Sequence, residues 1–244
     1  MLHISPRAEE IFFVGVLPIT NALILTLVVF ILLGVVSLIF RRKLALVPGR
    51  FQNVFEFIID NVLDMMEPLY GSKRKAEKYL PWIATFFIFI LFSNWLGLVP
   101  GVGSIGIKHG EVITPLLRAP ASDLNFTLAL AFISVIIIQV FGVMALGPKI
   151  HFSKFFDFRG PIKFFIGILE LVSEIAKIIS FSFRLFGNVF AGEVLLIIIG
   201  FLVPYVIPVP FLIFEVFVGF MQAFVFSMLT MVFVAMAIKE DSSH

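Results

Sequence analysis

The chain has no cysteine in 244 residues. Disulfide staples and thiolate metal sites are therefore excluded. Charge is nearly as scarce. Asp, Glu, Lys and Arg make up 14% of the residues, against about 25% in soluble domains. The formal net charge is only +2, and it is spread over connecting segments rather than gathered on one face, so nucleic-acid binding has no support. There is no Walker sequence and hence no nucleotide site. What fills the chain instead is apolar: 60% hydrophobic residues, 32 of them Phe, with a mean hydropathy of +1.11. These values exclude a free soluble globule and predict an all-α integral membrane protein, with residues 1–244 as a single membrane domain.

The missing charges draw the map. Residues 11–40, 79–107 and 124–148 contain no Asp, Glu, Lys or Arg. A crossing needs about 20 apolar residues, so each run holds one, expected near 12–38, 82–98 and 126–147. Pro81 fits the first turn of the second helix, and Gly97 and Pro100 fit its end. Asn94 is the polar exception within it. The first run is too long for a cleavable signal and lacks a basic leader, so it is expected to be a retained helix. Residues 162–199 and 211–238 are two further, longer apolar segments, joined by a turn containing Pro204, Pro208 and Pro210. Residues 51–70 differ: Phe, Val, Ile, Leu and Met recur at helical spacing, while Glu56, Asp60, Asp64 and Glu67 share the other side. That pattern predicts an amphipathic helix on the membrane surface. An ordinary helix packed on its neighbours fits the same pattern.

Residues 41–80 carry eight Lys or Arg and five acids, and 149–163 carry Lys149, Lys154, Arg159 and Lys163 against Asp157. The 99–123 connection has only Lys108 and Arg118 against Glu111 and Asp123. The positive-inside rule then puts the first two loops in the cytoplasm and the third outside. The N-terminus is outside, and the C-terminus, with Lys239, Glu240 and Asp241, is inside.

The last two helices hold the informative chemistry. The first contains Glu170, Glu174, Lys177, Arg184, Asn188 and Glu193, and the second Glu215 and Gln222. Ionisable groups in a membrane are costly and usually face a cavity, a partner or an ion path. Glu174 and Lys177 are spaced to pair at i,i+3, or to snorkel at an interface. Arg184 has apolar neighbours on both sides and cannot shed its charge. Glu193 follows it by nine positions, so it faces the opposite side, about 13.5 Å farther along. Antiparallel pairing puts Arg184 level with Gln222, and Glu193 level with Glu215. No acid of the chain stands at the level of Arg184, which implies an anion from another subunit.

At this point the run SFRLFGNVFAGE (182–193) resembles the signature of the a subunit of the membrane sector of F-type ATP synthases. SNWLGLVPG (93–101), SDLNFTLALA (122–131) and EVFVGFMQAFVFSMLT (215–230) resemble further parts of that family, in the right order. The resemblance implies a stator channel subunit with two offset proton half-channels and no catalytic site or cofactor of its own. Arg184 would face a rotating ring of c subunits and exchange protons with its carboxylates. Glu193 and Glu215 would serve the external path, with Asn188 and Gln222 near the arginine. Asp123, Asn125, Asn94, Glu174, Lys177 and Ser182 are candidates for lining the path or its entrances. The last two helices would tilt strongly around the ring. Partners would be the ring, the peripheral-stalk b subunits, the rest of the complex and the lipid bilayer. The transported ion would be a proton, and the location a bacterial plasma membrane. The rival readings are a stand-alone proton or cation channel or secondary transporter, and a purely structural anchor. The first lacks an evident internal repeat, and the second leaves the two glutamates unexplained.

Overall fold

The computed structural model describes residues 8–15, 17–43, 45, 49–99, 102, 106–109, 112–153, 155, 160–203 and 206–239. Pro100, Glu111, Lys154, Asp157, Arg159, Pro204, Glu240 and Asp241, used above for topology and helix ends, lie outside these residues. A hairpin of β1 (Glu10–Val14) and β2 (Leu17–Thr20) precedes α1 (Asn21–Arg42). Then come α2 (Arg50–Tyr70), α3 (Lys73–Gly97) and a second hairpin of β3 (Gly106–His109) and β4 (Val112–Pro115). A 3-10 turn (Pro120–Ser122) leads into α4 (Leu124–Leu146), followed by α5 (Pro148–Ser153), α6 (Pro161–Leu202) and α7 (Pro208–Ile238). The protein is an all-α, multi-pass membrane protein: α1, α3, α4, α6 and α7 are each long and apolar enough to cross a bilayer.

Three helix starts correct the expectation. The first helix begins at Asn21, not near 12, because Gly15 turns the chain at φ +64° and Pro18 cannot donate in a continuing helix. Thr20 caps α1 by accepting from the Leu23 amide at 3.3 Å. Asn21 secures the junction: its Oδ1 accepts from Ala22 and Glu9, and its Nδ2 donates to the Pro115 carbonyl of β4. The second span begins at Ser72, whose hydroxyl caps it, and not at Pro81, which lies inside α3. Charge scarcity marks the part of a helix that suits lipid; the charged turns at 73–78 simply extend it toward water. The last helix begins at Pro208 rather than 211. Its prolines at 208 and 210 occupy the first turn, where amide donors have no helical acceptor in any case.

Two stacked clusters make the core. At one end Leu63, Met66 and Tyr70 of α2 meet Tyr79 and Ile83 of α3, Ile138 and Phe141 of α4, and Met231 and Val234 of α7. The Tyr70 hydroxyl donates to the Met231 carbonyl at 3.0 Å, and burial, then Tyr79, pushes its ionisation above the usual range. Toward the hairpins, Phe86 and Ile90 of α3, Leu130 of α4, Leu185 and Val189 of α6 and Phe226 of α7 interlock. By contrast α1 packs mainly on α3, the 3-10 turn and β2, with Phe40 against Phe55 of α2 at 4.8 Å between ring centroids. Polar links hold the bundle where lipid offers no hydrophobic drive between helices. Asn94 Nδ2 donates to the Gly219 carbonyl, Trp95 Nε1 to the Val216 carbonyl, and the Thr127 and Ser182 hydroxyls are 3.0 Å apart. Thr127→Val should lower the thermal midpoint of the detergent-solubilised protein by an amount equivalent to about 0.6 kcal/mol, while Thr127→Ser leaves it unchanged. An unchanged midpoint in Thr127→Val would mean that this hydroxyl pair does not hold α4 to α6.

Candidate functional site

The polar residues of α6 and α7 form a track along the bundle. At its centre, Arg184 Nη2 donates to the Ser180 hydroxyl one turn back, at 3.0 Å. No described carboxylate pairs with Arg184. The arginine is half-buried and opens into a cavity of about 260 Å³ lined by Ser173, Lys177, Ser180, Phe181, Leu229 and Phe233. Ser173, Lys177, Ser180 and Arg184 recur at four, three and four positions, so they form one stripe of α6. Lys177 Nζ is 2.7 Å from Glu174 Oε1 and 4.7 Å from the Phe233 ring centroid, so the i,i+3 pair expected from spacing is formed. Around the stripe, Ser173, Ala176, Ser180 and Gly187 are exposed, a face of small side chains, while Ile175, Ile179 and Phe183, turned farther round the helix, are about half exposed.

One turn toward the hairpin end, Asn188 Nδ2 donates to Gln222 Oε1 at 2.7 Å. Gln222 thus bonds the asparagine one turn beyond Arg184; antiparallel numbering sets depth and leaves the choice of side-chain partner open. Gln222 Nε2 and Asn94 Oδ1 remain buried with no hydrogen-bond partner among the described residues. The α3–α7 interface thus holds polar capacity that its own helices do not use.

Farther along, Glu215 of α7 is 6% exposed and its carboxylate lies over Gly192 of α6. A Cβ at 192 would collide with that carboxylate. Glu215 and Glu193 are accordingly near one level, as hairpin pairing predicts, but they do not share surroundings. No described cation pairs with Glu215. Glu193 turns away to Arg118, with Nε 3.3 Å from Oε1 and Nη2 3.5 Å from Oε2. Arg118, a loop charge by sequence, is 9% exposed and belongs to this site. The one local signal was an arginine directly before Ala-Pro-Ala-Ser-Asp, a run that makes an ordered turn and a helix cap.

The remaining candidates are structural in their visible contacts. Asp123 caps α4 by accepting from the Asn125 amide at 3.1 Å and from its side chain at 3.3 Å. Ser182 is fully buried against Thr127 rather than in the Arg184 cavity. Asn94 ties α3 to α7 between Glu215 and Gln222.

Comparison with known proteins adds an independent line. Residues 22–235 match the family model described as ATP synthase A chain. The ATP synthase subunit a of Campylobacter jejuni is 36% identical over 214 residues, covering 86% of each chain. That of Moorella thermoacetica is 33% identical over 235 residues, covering 96% of this chain and 97% of its own. That of Helicobacter pylori is 35% identical over 218 residues, covering 88% of both. A bundle of five apolar helices with an arginine amid apolar residues, matched over nearly its whole length, belongs to the ATP synthase A chain family.

Proposed function

We infer that this chain is the proton-translocating stator subunit of a rotary ATP synthase, working against a ring of c subunits in a bacterial plasma membrane. The observation that carries the reading is Arg184: a permanent cation with no described carboxylate pair, on an exposed face of α6 made of the small residues Ser173, Ala176, Ser180 and Gly187. A buried cation needs an anion, and here the anion is a ring carboxylate that comes and goes. A proton enters from the hairpin end along Glu193 and Glu215 and neutralises that carboxylate. Once neutral, the ring site crosses lipid without the desolvation cost of a charge. After nearly a full turn, a protonated site approaches Arg184, which favours the charged form by direct attraction. The proton then leaves through the polar stripe of Ser180, Lys177 and Glu174. Asn188 and Gln222 supply hydrogen bonds beside the exchange point. The same fixed cation repels a proton that would otherwise pass straight between the two paths. The driving energy is about 2.3 kcal/mol per charge for each 100 mV, plus any pH gradient. In this reading α2 lies on the cytoplasmic surface, with Phe57 and Ile58 toward lipid and Asp60 and Asp64 near Lys73.

The length of the last two helices supports a tilted seat beside a ring. At 1.5 Å per residue α6 spans about 63 Å and α7 about 46 Å, against a hydrocarbon layer of about 30 Å. Purification through a tag on this chain should recover an oligomeric ring of small helical hairpins and peripheral-stalk b subunits. Recovery of the chain alone, conducting protons by itself in liposomes, would overturn the rotary reading. Position 215 gives a second check. Glu215→Leu should reduce ATP-driven proton pumping in inverted vesicles at least about tenfold per assembled complex, because a relay group is replaced by one that holds no proton. Glu215→His should keep part of the activity. If Glu215→Leu pumps as wild type from pH 5.5 to 9, position 215 is not on the ion path.

A further inference from the structure

The two external acids have different company, and the difference traces to Arg118. The residue stands at the start of the 3-10 turn that links the β3–β4 hairpin to α4. Its Nε donates to the Ser122 hydroxyl at 3.1 Å, and Ser122 in turn donates to the Ala119 carbonyl at 2.9 Å. The turn thus holds the guanidinium by its Nε hydrogen, while Nη2 donates to Glu193 Oε2 at 3.5 Å and Oε1 lies 3.3 Å from Nε. The cation stands against both carboxylate oxygens, on a guanidinium whose own position the turn sets. Glu215, packed over Gly192, has no such clamp.

We propose that Arg118 is a positioning residue for proton entry: it clamps the Glu193 carboxylate at the outer end of α6, leaving Glu215 as the unclamped group that takes the proton inward. The inference rests on the rotary reading above and adds a residue and a division of labour between the two acids. Arg118 is not among the residues that line the Arg184 cavity. It acts through Glu193, and it couples the order of the hairpin-side turn to the mouth of the path.

The test separates charge at Glu193 from mere support of the turn. The chain is free of cysteine, so Glu193→Cys supplies a single thiol in the assembled complex. In detergent, its reaction rates with a sulfonate-bearing and a trimethylammonium-bearing methanethiosulfonate report the local potential. Adding Arg118→Gln should lower the anionic-to-cationic rate ratio at least about tenfold, as expected for losing a unit charge a few ångströms away. Adding Arg118→Lys should leave most of the ratio in place. In a chain with native Glu193, Arg118→Gln should reduce ATP-driven pumping about tenfold per assembled complex, with Arg118→Lys intermediate. A ratio unchanged within about twofold, or Arg118→Gln pumping at the wild-type rate, overturns the proposal. The thiol ratio decides the matter even if pumping is lost through poor assembly. Arg184→Ala in the same vesicles keeps the two readings apart. Normal pumping there sinks the rotary reading, whereas loss there with an unmoved thiol ratio sinks only the role of Arg118.

Discussion

Arg184→Ala is expected to abolish both ATP-driven proton pumping and proton-driven ATP synthesis, by more than about a hundredfold, while the complex still assembles. Arg184 has its described polar contact with Ser180, a neutral hydroxyl on its own helix. Its removal therefore breaks no ion pair among the described residues and should cost little stability. What is lost is the fixed charge that draws a ring carboxylate into its ionised form and blocks a direct proton route. Passive proton leak through the membrane sector should rise for the second reason. Arg184→Lys retains a charge but not the planar fork, and its shorter head cannot hold Ser180 and face a partner carboxylate at once, so coupled transport should still fail. The measurement is pumping in inverted vesicles and synthesis under an imposed proton gradient, normalised to assembled complex. Coupled pumping near the wild-type rate in Arg184→Ala would show that this arginine is not the exchange residue.

Gly192→Ala should have an effect of similar size for a different reason. In an exposed helix the change normally stabilises by about 0.5–1 kcal/mol, because alanine restricts the unfolded chain and favours the helix. Here the added methyl group would occupy the space of the Glu215 carboxylate. Either the carboxylate is driven from its seat or α6 and α7 move apart. Both outcomes should cut pumping to below about one tenth of wild type, since a proton relay depends on contacts set to fractions of an ångström. Glu215→Asp, one methylene shorter, should restore part of the activity in the Gly192→Ala background. Wild-type pumping by Gly192→Ala alone would mean that the seat over Gly192 does not matter to transport.

The sequence was most informative where physics acts locally. Runs without charge located three of the five apolar helices, since lipid excludes unpaired charge over about 30 Å, and length and apolar content located the other two. Helical periodicity of apolar residues over 51–70 located α2. Arg184 stands out as a candidate because an arginine cannot be neutralised in an apolar segment, and the i,i+3 spacing of Glu174 and Lys177 foretold their pairing. Backbone choices at the ends of apolar runs were less legible. Residues 12–20 are apolar enough for a membrane helix, but Gly15 and Pro18 direct them into a hairpin. Apolarity states where a segment resides and leaves its hydrogen-bond pattern open.

The sequence by itself determined the class of protein, the number of apolar helices and the residue types along the polar track. Only the tertiary structure decided which of those residues meet. Helix numbering sets depth, but the rotation of each helix follows from packing against all its neighbours. Hence Gln222 bonds Asn188 rather than Arg184, and Ser182 faces Thr127 instead of the Arg184 cavity. Hence also Glu193 and Glu215, level and alike in chemistry, receive opposite settings. One turns to Arg118, 75 residues earlier in the chain, and the other rests on a glycine. That pairing depends on the 3-10 turn being carried across the end of the bundle to α6, a contact between segments whose local sequences say nothing of each other.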